Sequence, residues 1–538
     1  MNSSSGAPNL SHRQILTIFS GLMVAMFLGA LNQTIVSTAG PTIVGELGDL
    51  TTLPWLFTAF MLTSTASVPL YGKLSDHYGR RLLLQIAVWI FVAGSIIVGL
   101  AQDVPQLVLG RAVQGLGAGG LIPLSLTVVG DILPPRERGK YNGYITSVFA
   151  LASLMGPLAG GFFIDHLSWR WAFHINAPLA IIAVLVIRRN LPATPREGRA
   201  TIDYWGAALL TIALTSLVII GVLVETEGVI SLTTAGFSLL LVGSLALLWR
   251  VERRAPEPLI PLDLLADPVF RVATTLGFLL SLSMFGALVF LPLFLQVAQG
   301  LSATASGLSM VPMMGCLTVA SLVAGRVATH VGRYRTTAIV GCGLVLLAMA
   351  GLTTIGVDTP LVVIAVLVGL LGAGVGTGMP VMNTAIQNSA PARHLGTATS
   401  LAHFGRTTGG IVGVSIFGAV LAASVARTLR DTGLAGTDAA DVIADPDSVA
   451  LLAEPTRAAV RSTIADGVSL VILVAAALAL VAFVLSFALR DAQLSDSFEE
   501  PEQAHPGPQA NGEGTDPAGP SDHGARPNED PDEPRSPQ

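Results

Sequence analysis

The chain has few charged residues and only two cysteines. Asp, Glu, Lys and Arg make up 12% of its 538 residues, whereas soluble domains carry about 25%, so the composition excludes an ordinary soluble protein. Cys316 and Cys342 both fall inside apolar runs, which favours small buried hydrophobic side chains over a disulfide framework or a metal site. The basic residues are scattered between apolar runs, so we do not expect nucleic-acid binding.

The sequence also lacks the motifs of common enzyme classes. It contains no Gly-Lys-Ser/Thr phosphate loop, no Gly-x-Ser-x-Gly nucleophile and no metal-spaced set of His, Asp and Glu. We therefore expect a protein that is not an enzyme, holds no metal or cofactor and draws no energy from ATP.

Long apolar runs are what the chain has instead. Hydrophobic residues make up 51% of the sequence, and the mean hydropathy is +0.67. A membrane-spanning helix needs about 20 mostly apolar residues. Fourteen runs meet this criterion and predict an all-α polytopic membrane protein. These spans, numbered 1 to 14, are expected at 15–37, 52–71, 82–100, 106–130, 141–163, 171–188, 205–224, 229–249, 271–297, 303–327, 335–356, 361–383, 398–422 and 467–489.

The loops between the spans differ in charge. Lys and Arg recur in every second loop, whereas the alternate short loops contain only Arg170. By the positive-inside rule the basic loops face the cytoplasm, so residues 1–14 and 491–538 are both expected there. The C-terminal segment holds twelve acids among Pro and Gly, which predicts a disordered tail. Residues 423–465 then form a long outer loop.

Part of the sequence repeats. Gly115 and Pro123 in span 4 recur 257 residues later as Gly372 and Pro380 in span 12. The same offset relates Gly117, Gly119, Gly139, Gly156 and Gly161 to Gly374, Gly376, Gly396, Gly413 and Gly418. An offset shared by helices and loops predicts two six-helix halves, 15–188 and 271–490, with two inserted spans in the linker 189–270.

The segment between spans 2 and 3, Gly72–Arg81, is here called the hinge. Its basic residues Lys73, Arg80 and Arg81 could serve membrane topology alone. A topology signal needs neither Asp76 nor the two glycines, Gly72 and Gly79, which permit a tight turn and close backbone approach. We therefore favour a gate, in which Asp76 binds arginines or the positive end of a neighbouring helix.

A second copy of the hinge lies 253 residues further along. Gly325, Gly332 and Arg333 repeat Gly72, Gly79 and Arg80, but Thr329 stands where Asp76 would fall. The sequence therefore predicts a duplicated device with an acid in the first copy only.

Several motifs together resemble one transporter family. Besides the hinge, they are Leu109–Gly117 in span 4, Gly156–Gly161 in span 5, Trp169–Pro178 at span 6, and Leu291–Gln296 at the end of span 9, which is followed by Gly300–Thr304. This combination is similar to the major facilitator superfamily, and specifically to its 14-spanner drug:proton antiporter branch of the EmrB/QacA type. The resemblance implies two six-helix halves plus two inserted helices.

The resemblance also implies what the protein does. It implies a multidrug efflux transporter that exchanges lipophilic or amphipathic molecules, such as drugs, antibiotics and dyes, for protons. The hinge would be its cytoplasmic latch. Residues Gly156, Pro157, Gly160 and Gly161 would be the motif associated with exporters, in which Pro157 is expected to disrupt the helix.

Arg111 is the most informative charge within a span. An arginine at the centre of a membrane helix costs about 3 kcal/mol, so it should face the bundle interior and find a partner. The family pattern implies that Arg111, with Gln114 nearby, takes part in proton or substrate coupling. The alternative is an arginine that extends along the helix to the membrane boundary, since Pro105 begins this helix close by.

Span 1 departs from the family pattern. The branch typically has a carboxylate after the leucine of Leu-Asp-x-Thr-Ile-Val, whereas this chain reads Leu31-Asn32-Gln33-Thr34-Ile35-Val36. An asparagine cannot carry a proton. The carboxylates nearest the expected gate are Asp76 and Asp131. A second route is His403, three residues before Arg406 on one helix face, because imidazole titrates near neutral pH.

A broad apolar cavity is expected where the two halves meet. Its predicted lining combines amides with aromatic and methionine side chains: Asn32, Gln33, Phe149, Phe285, Phe290, Gln296, Met310, Met313, Asn383 and Gln387. The expected partners are the lipid bilayer, small lipophilic substrates and protons, and the expected setting is a monomer in a bacterial plasma membrane.

Three alternatives stay open at this point. The chain could export a lipid or an endogenous secondary metabolite, with different or no proton coupling. Neutral or anionic substrates have comparable weight to cations, since Arg111 and Arg406 are available and no acid lies in mid-span. A non-transporting membrane sensor would also tolerate Asn32.

Overall fold

The computed structural model describes most of the chain between Ser11 and Arg490. The described ranges are 11–47, 53–192, 203–226, 231–255, 258–431 and 454–490. Within them the chain is helical and contains no strand. The predicted tail at 491–538 and the middle of the predicted outer loop, 432–453, lie outside the described residues.

The described residues of the first half form seven helices. They are α1 (His12–Leu47), α2 (Leu53–Tyr78), α3 (Arg80–Leu100), α4 (Val104–Ile132), α5 (Pro135–His166), α6 (Trp171–His174) and α7 (Asn176–Asn190). The two inserted helices follow as α8 (Tyr204–Thr226) and α9 (Leu232–Glu252). The short helix α6 and α7 together take the place of predicted span 6.

The second half repeats this plan. Its helices are α10 (Leu262–Ala266), α11 (Pro268–Val297), α12 (Ala303–Leu308), α13 (Val311–Val331), α14 (Arg335–Leu352), α15 (Leu361–Ser389), α16 (Leu395–Asp431) and α17 (Glu454–Ser486). The short helices α10 and α12 precede the longer α11 and α13. A single 3-10 turn, Ala392–His394, leads into α16.

Twelve helices in the described residues are long and apolar enough to cross a membrane. The two remaining expected spans correspond to α2, with 26 residues, and α8, with 23. Helix α2 ends in the charged hinge, and the continuous apolar part of α8, Trp205–Ile220, is short. The all-helical, multi-span architecture is confirmed, and the count of fourteen spans stays a prediction.

Some predicted boundaries are wrong. Helix α2 continues through Tyr78, so the hinge is mostly helical instead of a loop. Only Gly79 breaks it, with a φ of 88° that favours glycine. Both flanks of the predicted outer loop are helical, because α16 extends to Asp431 and α17 begins at Glu454, and the bounds of the loop stay a prediction.

Each half has its own apolar core. In the first half, Leu22 on α1, Phe91 on α3 and Leu124 on α4 are fully buried in one apolar cluster. In the second, Leu280 and Val468 belong to a separate buried cluster. The halves meet where α2 and α4 pack against α16, and where α5 packs against α13 and α15. Because the larger apolar clusters of the described residues each lie within one half, the halves can move as bodies.

The two hinge copies are related in three dimensions as well as in sequence. Gly332 has a φ of 69°, so both it and Gly79 have a positive φ, which favours glycine. A Cβ on Gly72 would lie 2.9 Å from the carbonyl oxygen of Gly396, and one on Gly325 would lie 2.2 Å from that of Gly139. Gly139 and Gly396 are themselves a repeat pair, so the two close contacts are equivalent under the internal symmetry.

Candidate functional site

Asp76 joins the two halves at the hinge. Its Oδ1 accepts a hydrogen bond from the backbone N–H of Gly396 at 2.9 Å. Its Oδ2 accepts from the Thr397 backbone N–H at 2.8 Å and from the Thr397 hydroxyl at 2.6 Å. A carboxylate at this place satisfies free N–H groups of α16 and faces the positive end of the helix dipole.

Arg80 links this cap to two further helices. Its Nη1 lies 2.6 Å from Asp76 Oδ1 and donates to the Ser75 hydroxyl at 3.0 Å. Its Nε donates to Asp131 Oδ2 at 3.0 Å. The Asp76 and Arg80 side chains are only 4% and 10% exposed, so this network is charge-assisted and largely shielded from water. The predicted gate residues Asp76, Arg80 and Asp131 are thereby in one assembly.

The other hinge residues support this assembly. A Cβ on Gly72 would lie 2.6 Å from Ser400 Cβ, so only glycine allows α2 and α16 to approach this closely. Arg81 donates to the carbonyl of Arg188 within the first half. Lys73 donates to the Pro258 carbonyl at 3.2 Å, which ties the hinge to the segment after the inserted helices.

A second group of contacts at the same end joins α5 to the second half. Arg136 Nε donates to the Thr329 carbonyl at 2.8 Å, and Arg138 Nη1 donates to the Gln387 carbonyl at 3.1 Å. The Asn142 amide donates to the Thr384 hydroxyl at 3.2 Å. From the sequence, Arg136 and Arg138 look only like topology signals, and their contacts with the second half are not evident. The 257-residue offset is the signal that could have indicated these contacts, since it pairs the start of α5 with the start of α16, where Asp76 binds.

Arg111 is buried inside the first half. Its side chain is 1% exposed, which rules out the alternative that it reaches the membrane boundary. Its Nη1 donates to Asn32 Oδ1 at 2.6 Å and to Gln114 Oε1 at 2.7 Å. Its Nε donates to the Leu56 carbonyl at 3.0 Å, and the guanidinium lies 4.2 Å from the centre of the Phe60 ring.

This cluster explains what the asparagine in α1 does. Asn32 supplies a neutral oxygen to Arg111 where the family pattern has a carboxylate. Gln114 in turn donates to the Ser95 hydroxyl at 2.7 Å, which also accepts from Asn176 at 3.1 Å. Ser95 and Asn176 were missed from the sequence because single polar residues in apolar spans carry no spacing signal. Every acceptor that Arg111 finds in the described chain is uncharged.

His403 and Arg406 form a direct pair on α16. Arg406 Nη2 lies 2.5 Å from His403 Nδ1. A guanidinium can only donate, so this ring nitrogen is the acceptor and the proton of the neutral imidazole is assigned to Nε2. Both residues are half-buried. The predicted shared face is therefore present, and the pair lies well beyond the Asp76 contact along α16.

The predicted exporter motif lies where α5 packs on α1. A Cβ on Gly156 would lie 2.0 Å from Thr34 Oγ1, and that hydroxyl donates to the Ala152 carbonyl at 3.0 Å. Gly160 is buried, while Gly161 has open space around it. Pro157 does not end the helix, because α5 continues to His166, and the expected local disruption at Pro157 stays a prediction. Membrane helices tolerate proline where neighbouring groups compensate for the lost hydrogen bond.

Contacts at the other end of the first half involve the Trp169–Arg170 pair. Arg170 Nη1 lies 2.7 Å from Glu46 Oε1, and Trp169 Nε1 donates to Glu46 Oε2 at 2.8 Å. These two hydrogen bonds, first that from Arg170 and then that from Trp169, hold the pKa of Glu46 below its usual range. They fasten the end of α1 to the turn after α5.

The predicted cavity residues are in two kinds of environment. Asn32, Phe290, Met313 and Gln387 are buried, and Gln387 donates to the Leu126 carbonyl at 2.9 Å across the two halves. Gln33 is exposed, and the rest are partly exposed: Phe149, Phe285, Gln296, Met310 and Asn383. That these residues line one substrate cavity stays a prediction.

A separate groove of about 570 Å³ runs between α13, α14 and α15. Its walls are apolar and include Cys316, Val319 and Val340. Cys316 is exposed there, so its predicted burial is wrong, whereas Cys342 is buried as expected. In a membrane protein an apolar side chain can face lipid instead of the core.

The chain resembles known membrane transporters over most of its length. It is 36% identical to the multidrug transporter protein MdtP of Bacillus subtilis over 424 residues, which cover 77% of this chain and 76% of that protein. Multidrug resistance protein 3 of the same organism is 32% identical over 454 residues, covering 83% and 87%. The solved structure of the proton:xylose symporter XylE superimposes with a TM-score of 0.60 at 13% identity, covering 90% and 98%, and shows the shared fold.

The match to a family model settles the assignment. The model described as Major Facilitator Superfamily matches residues 22–414, which include the hinge, Arg111 and the His403–Arg406 pair. The chain belongs to the major facilitator superfamily of membrane transporters.

Proposed function

We propose that this protein is a secondary active efflux transporter that exports lipophilic or amphipathic small molecules, including drugs, across the plasma membrane. The observation that supports this proposal most directly is the buried network of Asp76 and Arg80. In it, Asp76 accepts hydrogen bonds from the start of α16, and Arg80 pairs with both Asp76 and Asp131. Two curated relatives named as multidrug proteins support the substrate class.

The network suits one state of an alternating-access cycle. Its contacts and those of Arg136, Arg138 and Asn142 bring the two halves together at the hinge end. By the positive-inside rule this end faces the cytoplasm. The gate is then closed on the cytoplasmic side, and it must open for the protein to take up substrate from inside the cell.

Proton exchange is the second part of the proposal. The acids at the gate, Asp76 and Asp131, are the carboxylates closest to the moving contact, and Arg80 lies between them. A proton on Asp76 would weaken its hold on the N–H groups of Gly396 and Thr397. Protonation would then favour gate opening, which supplies a direct link between the proton gradient and the transport cycle. The protein works as a monomer with no cofactor.

Susceptibility tests on cells that express the chain examine the export. The expected result is growth at otherwise inhibitory concentrations of several lipophilic drugs, lost in the Asp76→Ala variant at equal membrane abundance. An Asp76→Ala variant that protects as well as the wild type would contradict the gate. Energised vesicles examine the coupling: substrate-dependent proton release supports antiport, and transport that ignores the pH gradient rules it out.

A further inference from the structure

Arg406 is a cation at the centre of a membrane helix. The apolar span of α16 covers Ala392–Leu421, 30 residues, and Arg406 is the fifteenth of them. It lies ten residues beyond Gly396, which corresponds to about 15 Å along the helix from the Asp76 contact. Burying a guanidinium at this depth is costly, and arginine does not lose its proton to avoid that cost. Such a residue marks a functional site when no structural partner explains it.

No carboxylate in the described chain neutralises Arg406. Its one polar contact is His403 Nδ1, a neutral acceptor on the same helix. The acids on the helices packed against α16 lie near the ends of those helices: Asp76 and Asp131 at the hinge end, and Glu225, Glu454 and Asp466 at the other. The cations Lys73, Arg111 and Arg271 on those helices contribute no negative charge either.

The remaining donors of the pair have no partner among the described residues. Arg406 Nε and Nη1 have no partner in the described chain, yet neither is among its fully buried atoms. With Nδ1 occupied, the imidazole Nε2–H of His403 is a second donor without a partner there. The site thus offers a positive charge and several N–H groups, with no acceptor. That is the chemistry of an anion-binding site.

An aromatic surface lies beside the same face of the helix. The Phe285 ring lies against Gly410, one turn beyond Arg406, where an added Cβ would approach its Cε2 to 2.9 Å. Phe285 is partly exposed. Phe404, two residues before Arg406, lies on another face of α16 and packs beside α8 and α9. A ligand that contacts Phe285 and Arg406 together has a lipophilic or aromatic body and one negative group.

We infer that Arg406, with His403, binds the negative group of the substrate, so that the transported class is lipophilic organic anions such as aromatic carboxylates or sulfonates. This inference rests on the proposed export function and names its substrate. Lipophilic cations are disfavoured, because no carboxylate of the described residues contacts Arg406 or His403 to pair with them and Arg406 repels them.

Binding is measured on the purified full-length protein in lipid nanodiscs. The probes are carboxyfluorescein, which is anionic, and a cationic rhodamine ester with the same ring system, both followed by fluorescence anisotropy. We expect the wild type to bind the anion more tightly. Arg406→Gln should weaken anion binding by about tenfold or more, since a charge-assisted contact of this kind is worth about that much. It should leave cation binding unchanged or tighter.

Two variants separate binding from folding. Arg406→Lys keeps the positive charge and should retain part of the anion affinity, even if Arg406→Gln proves unstable. Arg326→Gln is the matched control, because Arg326 is exposed on α13 away from the pair. A wild type that prefers the cation, or an anion affinity that is the same in Arg406→Gln, would overturn the inference.

Vesicle transport of the same two dyes distinguishes this inference from the export function. Binding of the anion that depends on Arg406, without movement in energised vesicles, would contradict export and leave the site standing. Movement of the cationic dye alone, unaffected by Arg406→Gln, would support export and contradict the substrate class.

Discussion

Asp76 and Thr397, 321 positions apart in sequence, are joined by two hydrogen bonds through a single carboxylate oxygen. One comes from the Thr397 backbone and the other from its hydroxyl. With the bond from Gly396, they make Asp76 the cap of a helix that belongs to the opposite half of the molecule. The stability of this contact depends on the negative charge, since the positive end of the helix dipole and Arg80 both attract a carboxylate.

Removing only that charge should weaken the gate. Asp76→Asn keeps the size of the side chain but replaces one acceptor oxygen with a donor that faces the N–H groups of α16. We expect export to fall about tenfold, as for the loss of an interaction of about 1.4 kcal/mol, with unchanged membrane abundance. Initial export rates in vesicles measure this. Asp263→Asn, at an exposed acid in α10, is the control and should transport normally.

Export should be as sensitive to a side chain at Gly72 as it is to the loss of the charge on Asp76. Gly72→Val places methyl groups where even a Cβ lies 2.6 Å from Ser400, so α2 and α16 cannot close. We expect export to be lost while the protein still inserts. Gly236→Val in α9, where nothing lies within 4 Å, should be tolerated. Equal transport by both variants would show that the close approach is dispensable.

The stability of the protein should depend on the hydrogen bond between the buried Arg111 and its neutral acceptor, Asn32. Asn32→Leu leaves Arg111 Nη1 with Gln114 alone and should lower the free energy of unfolding by about 1–3 kcal/mol. Asn32→Asp should restore the contact as an ion pair and recover the melting temperature. Thermal unfolding of the detergent-solubilised protein compares the three. Asn32→Leu with wild-type stability would mean that the hydrogen bond to Asn32 contributes little.

The Glu46 contact predicts that the free energy of unfolding depends on pH, by a small amount. The pKa of this carboxyl is lowered in the folded protein by Arg170 and Trp169, so its contribution to stability is present above its unfolded pKa of about 4.5. That contribution is lost as the pH falls through the lower folded value. Glu46→Gln should therefore reduce stability at pH 7 by less than about 1 kcal/mol, because the pair is largely exposed. Below the folded pKa the two proteins should unfold alike, and a difference that persists there would contradict the assignment.

Most of the fold is predictable from the long apolar runs of the chain. Helices in a membrane must satisfy their own backbone groups, so long apolar runs predict helices and little else. The repeated glycines carry the internal symmetry, because close helix contact imposes glycine at specific places such as Gly139 and Gly396. The charges and glycines of the hinge predict a loop, but the segment is mostly helical, since one residue with a positive φ, Gly79, is enough to turn the chain between two helices.

The candidate site was predictable only in part. Asp76, Arg80 and Arg111 stand out because charges are rare in this chain. Their partners do not, because a backbone N–H of Gly396 or a carbonyl of Leu56 has no signature in sequence. The polar neighbours of Arg111 come from four helices, and only three-dimensional packing brings Ser95 to Gln114 and Asn176.

The symmetry-related contacts of Gly72 and Gly325 make the closed gate bivalent. Each half meets the other at both places, one reinforced by Asp76 and the other by Arg136 on the Thr329 carbonyl. When one contact opens, the other still holds its partner nearby at a high effective concentration, so re-closure is fast. The open state therefore requires both to separate together, and a double change at Asp76 and Arg136 should open the gate far more than either change alone.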